Sequence, residues 1–189
     1  MRTILSIIIL LSSTINNDFK KRIIPYGIVI SKADLIIEGK VSNNSKNNYD
    51  FSVTEFIKGQ SLKNIYVKKW GEWTCDKRIQ KIEKGQRLIL FLNKIKENEY
   101  EVINGSTGEL FVENNNSVKT FMKSDFPSVN KIKSGIKSFL KAFEFKGTLE
   151  YNEENYFNRL IEQSKIDKIM NENKFFKSIV RGIKYFTVK

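Results

Sequence analysis

The spacing of apolar residues changes once along the chain, near Pro127. Before it, short runs rich in β-branched and aromatic residues alternate with turn chemistry. Residues 34–41 (DLIIEGKV) and 49–56 (YDFSVTEF) are two such runs, and in the second Tyr49, Phe51 and Val53 alternate with Asp50, Ser52 and Thr54. A period of two buries one face of a strand and wets the other. An Asn-rich turn over 42–48 joins the two runs, and Lys58-Gly59-Gln60 closes the second with a residue free to take positive φ. The series continues over 62–70, 86–93, 100–103, 108–113 and 117–122, all within a strand-like region from Ile23 to Met122. Short strands divided by turns, without helix-length patterns between them, predict an antiparallel barrel or sandwich.

Beyond Pro127 the period becomes helical. Val129, Ile132, Ile136, Phe139, Leu140 and Phe143 fall on one face, with Ser128 at the N-cap and Lys131, Lys133, Lys137 and Lys141 off the stripe on the solvated side. A second helical pattern starts near Glu153 with Tyr156, Phe157, Leu160 and Ile161. It runs through Met170, breaks around 171–173 and resumes from Phe175 to Phe186.

Near the N-terminus, Arg2 precedes an apolar run from Ile4 to Leu11, followed by Ser12, Ser13 and Thr14. This is the order of a secretory signal peptide, although a buried N-terminal strand would show the same run. Cleavage is expected after Thr14 or slightly beyond, near Asn16, so that the mature chain starts between about Ile15 and Asp18. The run is much shorter than the roughly 20 apolar residues of a membrane span.

Composition narrows the chemistry. The 189 residues include no His and one Cys, which removes the common zinc sets, the Ser-His-Asp and Cys-His pairs and any intrachain disulfide. No cofactor is expected. The net charge of +12 suggests an acidic partner, but it divides as +7 over residues 1–123 and +5 over 124–189, so no segment owns it. It comes with 27 Lys, 25 Ile and 19 Asn against 6 Arg, the signature of A/T-rich codons. Scarce Arg weakens a nucleic-acid reading, and lysines opposite an apolar stripe are the ordinary solvated face of a helix rather than a membrane-seeking one.

Residues 33–41 (ADLIIEGKV), 51–59 (FSVTEFIKG), Cys75 and 85–92 (GQRLILFL) together resemble the netrin-like OB barrel of the tissue inhibitors of metalloproteinases and many bacterial secreted proteins. The resemblance covers roughly half the chain. It implies a five-strand barrel, with Gly39 allowing a close approach or bend in a coiled first strand, and a secreted habit. The animal inhibitors chelate a target's zinc through an N-terminal Cys backed by disulfides. Here Cys75 lies mid-chain, is followed by Asp76 where many relatives have Gly, and has no partner.

The most chemically concentrated stretch is residues 70–76, with Trp70, Glu72, Trp73, Cys75 and Asp76 inside seven positions. Paired carboxylates can serve glycoside hydrolysis, and an exposed indole can stack on a sugar or peptide; an aromatic loop packed over one end of the barrel is the structural alternative. The Ser-x-x-Lys matches at Ser128, Ser134 and Ser138 are expected by chance among 16 Ser and 27 Lys, and read as helix surface. The Gly105-Ser-Thr-Gly108 segment has turn chemistry without the lysine of a P-loop.

The sequence therefore predicts an α+β protein. It comprises a signal peptide over 1–15, an antiparallel OB-like β-barrel over 16–123 and a helical extension over 124–189. The expected role is a secreted or periplasmic non-enzymatic binding module for a protein or glycan partner, with residues 70–76 as its binding loop. A secreted hydrolase using Glu72 and Asp76 and a basic OB-fold nucleic-acid binder are the alternatives. Oligomeric state is not encoded in any of these patterns.

Overall fold

The computed structural model describes residues 24–121, 128–149, 155–184 and 186–189. The apolar run Ile4–Leu11, its cleavage stretch and Pro127 lie outside the described residues.

Five strands close a barrel: β1 (Leu35–Asn44), β2 (Asn48–Lys58), β3 (Asn64–Lys68), β4 (Arg87–Lys96) and β5 (Glu99–Val102). Their order around the barrel is β1-β2-β3-β5-β4, and β4 pairs back onto β1 from Leu35↔Leu92 to Lys40↔Arg87. Neighbours are antiparallel except β3 and β5, which run parallel through Tyr66↔Glu99, Val67↔Tyr100 and Lys68↔Glu101. This arrangement is consistent with an OB-like barrel. A 3-10 turn (Gly105–Gly108) leads into β6 (Glu109–Val112), which pairs with the first half of β4, and β7 (Val118–Lys119) adds to its edge.

The apolar runs 35–37 and 88–92 are buried on both faces. Leu35, Ile37, Leu88, Leu90 and Leu92 point into the barrel with Tyr49, Phe51, Ile65 and Val67, whereas Ile36, Ile89 and Phe91 face a second core outside it. That is why neither run shows polar alternation. Bulges in β1 flank Gly39, where an added Cβ would collide with the Ser52 carbonyl and the Phe51 ring. The close approach expected at this glycine is present, and Gly59 takes a φ of 74°.

The second core is built by helices. α1 (Tyr26–Lys32) replaces the strand-like start expected at Ile23, because Tyr26 to Ile30 are all buried between β4 and the C-terminal elements. Packing overrides the modest helix preference of Ile and Val there. The Lys58 ammonium donates to the carbonyls of Ile30 (3.1 Å) and Ser31 (2.7 Å), satisfying the end of this helix. α2 (Val129–Ala142) lays its predicted stripe, Val129, Ile132, Ile136 and Phe139, into the same core. Ser128 stands at its N-cap without a side-chain capping bond.

The C-terminal region departs from an all-helical extension. β8 (Phe143–Lys146) and β9 (Tyr156–Arg159) pair antiparallel, and β10 (Thr187–Val188) joins β9 in parallel. Tyr156 and Phe157, expected to open a helix, therefore lie in a strand, and the helix α3 begins only at Gln163 and ends at Glu172. Phe157 is fully buried against the rings of Phe139, Phe143, Phe145 and Phe186 at centroid separations of 4.9–6.5 Å. The expected break falls at Asn173, which caps α4 (Lys174–Gly182) by accepting from Phe176 N at 3.0 Å and ties it to α2 by donating to Lys131 O at 2.9 Å.

One further expectation is corrected. Lys133 is not a solvated charge, since its side chain is 15% exposed and its ammonium bridges Glu38 at 2.6 Å and Glu55 at 2.7 Å. Lys137 reaches the other oxygen of Glu55 at 2.7 Å, and Arg87 pairs with Glu38 while donating to Asn116 Oδ1 at 2.7 Å. Together these groups clamp α2 onto β1 and β2. Hydrogen bonds from Lys133 and Lys137 hold the Glu55 carboxyl below its ordinary pKa of 4.5, against a smaller effect of burial.

Candidate functional site

The segment from Lys69 to Gln86 crosses one end of the barrel between β3 and β4. Its fixed point is Arg78. The Arg78 Nε donates to Glu109 Oε2 at 2.7 Å, Nη1 to Glu72 Oε1 at 2.7 Å, and the backbone N of Arg78 to Glu72 Oε2 at 2.9 Å. The guanidinium lies over the Trp70 ring, 4.5 Å from its centroid, a stacked arrangement that favours Arg over Lys. Glu109 is fully buried and also accepts from the Tyr49 hydroxyl at 3.1 Å.

Burial pushes the Glu109 carboxyl above its usual range, and Arg78, Tyr49 and the neighbouring Trp70 indole only partly offset it. Trp70 Nε1 is near enough to favour the charged carboxylate, yet its geometry falls short of a hydrogen bond. Burial, and then the charge of Glu109, likewise raise the Tyr49 phenol well above its ordinary value.

A tight turn projects from this base. Trp73 and Asp76 exchange backbone hydrogen bonds, Trp73 N to Asp76 O at 3.2 Å and Asp76 N to Trp73 O at 2.9 Å. Asp76 is buried, and its Oδ1 accepts from Ser106 N at 3.3 Å and from the Ser106 hydroxyl. Gly105, at φ 55°, passes so close to the Asp76 carboxyl that a Cβ would strike it. At the tip, Trp73 is 40% exposed and Cys75 is an exposed free thiol.

The five residues predicted as a loop site thus divide into three roles. Trp70 and Glu72 line a cleft, Trp73 and Cys75 stand out in solvent, and Asp76 turns inward as an anchor. Glu72 and Asp76 each serve a different structural partner, Arg78 and Ser106. The cleft encloses about 450 Å³ and is lined by Lys46 and Asn47 of the β1–β2 turn, Lys68 at the end of β3, and Lys69, Trp70, Gly71, Glu72 and Arg78.

Partial burial, with Arg78 and Lys81 nearby, lowers the Lys69 pKa against the pull of Glu109. The sequence reading missed Arg78 and Glu109. One signal was available, since Glu109 shares with Phe111 the inward positions of an apolar strand whose outward positions are Leu110 and Val112. A carboxylate there requires a buried cation.

Among the described residues no cluster of three or more His, Cys, Asp or Glu could hold a metal ion, and no helix is long and apolar enough to cross a membrane. No protein-family model matches the chain, and no curated protein is similar to it at a meaningful level.

Proposed function

We propose that the chain is an exported, non-enzymatic binding module, a netrin-like variant of the OB barrel, which engages a protein or glycan partner through residues 70–78. The observation that carries this reading is the loop's division of labour. Its base is fixed to the barrel end by Arg78–Glu109 and Asp76–Ser106, while the Trp73 indole is presented to solvent. Immobilised aromatic groups give contact area at low entropic cost, the usual property of a binding anchor. Export rests on Arg2 and the apolar run that follows it.

The hydrolase alternative needs one free acid and one free base. Glu72 is instead ion-paired to Arg78, and Asp76 is buried on Ser106. The test has two parts. Cell fractionation with N-terminal sequencing is expected to find an extracytoplasmic chain starting between about Ile15 and Asp18; an intact Met1 in the cytosol would overturn export. Screening the protein and its Trp73→Ala variant on glycan and peptide arrays is expected to show binding that the variant loses at an unchanged melting temperature.

A further inference from the structure

The cation-rich cleft beside Trp70 holds more donors than its lining acceptors meet, although the Lys69 ammonium already donates to the Ser45 carbonyl. Lys46, Lys68, Lys69 and Arg78 line it against a single lining carboxylate, Glu72. Arg78 is the immobilised member, its side chain 7% exposed, with Nε spent on Glu109 and Nη1 on Glu72. Its Nη2 is buried without a hydrogen-bond partner among the described residues. A buried charged donor left unmet costs free energy, and the guanidinium edge nearest the cleft is the one now held by Glu72. Glu72 differs from Glu109 in its access to solvent, 46% exposed while Glu109 is fully covered, so a ligand anion can compete for its place on Arg78.

We propose that this cleft is a binding site for a tetrahedral oxyanion, a phosphoryl or sulfuryl group of the ligand, held by Arg78 with Lys46, Lys68 and Lys69 and competing with Glu72 for the guanidinium. The inference rests on the reading of residues 70–78 as the partner-binding end of the barrel and gives that partner its chemistry. A group with several outward oxygens can engage a guanidinium edge and separate ammonium groups together, which a lone carboxylate does less well. The guanidinium is already placed over the Trp70 ring and tied to Glu109, so little ordering is required when the anion arrives. At about 450 Å³ the cleft has room for a ligand body beside the anion, next to the Trp70 ring.

Calorimetric titration of the full chain with inorganic phosphate and inorganic sulfate, at constant ionic strength made up with chloride, tests the proposal. Saturable binding at one site is expected for at least one of the two, and the tighter one identifies the group. The double variant Lys46→Gln/Lys68→Gln alters two exposed side chains and is expected to weaken binding about tenfold or more. Glu72→Gln, by removing the internal competitor, is expected to tighten it several-fold. No saturable binding, or equal weakening by the exposed control Lys141→Gln, would overturn the site. The array experiment separates the two readings: loss of array binding in Trp73→Ala without phosphate or sulfate binding leaves the loop reading standing and removes only the anion site.

Discussion

Two clusters of opposite charges lie on this barrel, and they are finished differently. Along the seam with α2, Lys133 pairs with Glu38 and Glu55, Lys137 with Glu55, and Arg87 with Glu38 and Asn116, so each cation has acceptors and each carboxylate has two cations. At the barrel end, Arg78 keeps a buried Nη2 without a partner among the described residues, and three lysines, of which Lys69 donates to the Ser45 carbonyl, share a cleft with one exposed lining carboxylate. A closed network fixes one packing of two elements; an incomplete one next to a cleft has capacity for a ligand. Both clusters contain a carboxylate at most a few per cent exposed, so burial alone does not distinguish a clamp from a site. The balance of donors and acceptors does.

Breaking the barrel-end cluster is expected to have the largest effect. Arg78→Ala strands the Glu109 carboxylate inside the barrel and should cost about 3–5 kcal/mol in a urea melt, the penalty for half of a buried pair. Replacing the pair together, Arg78→Met with Glu109→Leu, should recover most of that loss; no recovery would mean that the end of the barrel does not depend on this pair. Phe139→Ala removes a fully buried ring from the second core and should cost about 3–5 kcal/mol as well. A melting curve left unchanged by it would detach α2 from the barrel.

The seam predicts a graded pair of smaller effects. Lys133→Gln takes one of two cations from the nearly buried Glu38 and should cost about 1.5–3 kcal/mol, the range for a hydrogen bond to a charged group. Lys137→Gln touches only the partly exposed Glu55 and should cost less than about 1 kcal/mol. Equal effects would refute the clamp.

The Glu55 carboxyl has a folded pKa below its ordinary 4.5, so its contribution is complete above that value and is lost as pH falls through the lower folded pKa. Acid titration of stability should therefore show a drop below about pH 4.5 that Glu55→Gln diminishes.

The strands were legible because each is half-buried or doubly buried in a way its residues announce. Tyr49, Phe51 and Val53 alternate, and residues 88–92 form an unbroken apolar run. α1 was hidden because Gly27 to Ile30 are weak helix formers, made helical only by burial in the second core, where Tyr26 at the start of the helix meets Phe91 and Phe175. β8 and β9 were hidden because four-residue strands with Phe143, Phe145 and Phe157 offer too short a period to separate from the helix stripe before them.

For the site, the clustering of residues 70–76 was visible in one dimension, but Arg78 meets Glu109 across 31 positions, and Lys133 meets Glu38 across 95. A helical wheel places a lysine off the apolar stripe; it carries no information about the carboxylates that the next sheet brings to it.

The most direct measurement is a map of backbone and indole amide shifts in the full chain during a phosphate titration. The account predicts saturable shifts confined to Lys46, Asn47, residues 68–72, Arg78 and the Trp70 indole N–H, with the lysines of α2 and α4 unmoved. Shifts spread evenly over the lysine-rich surface, without saturation, would contradict it and reduce the cleft to ordinary basic surface.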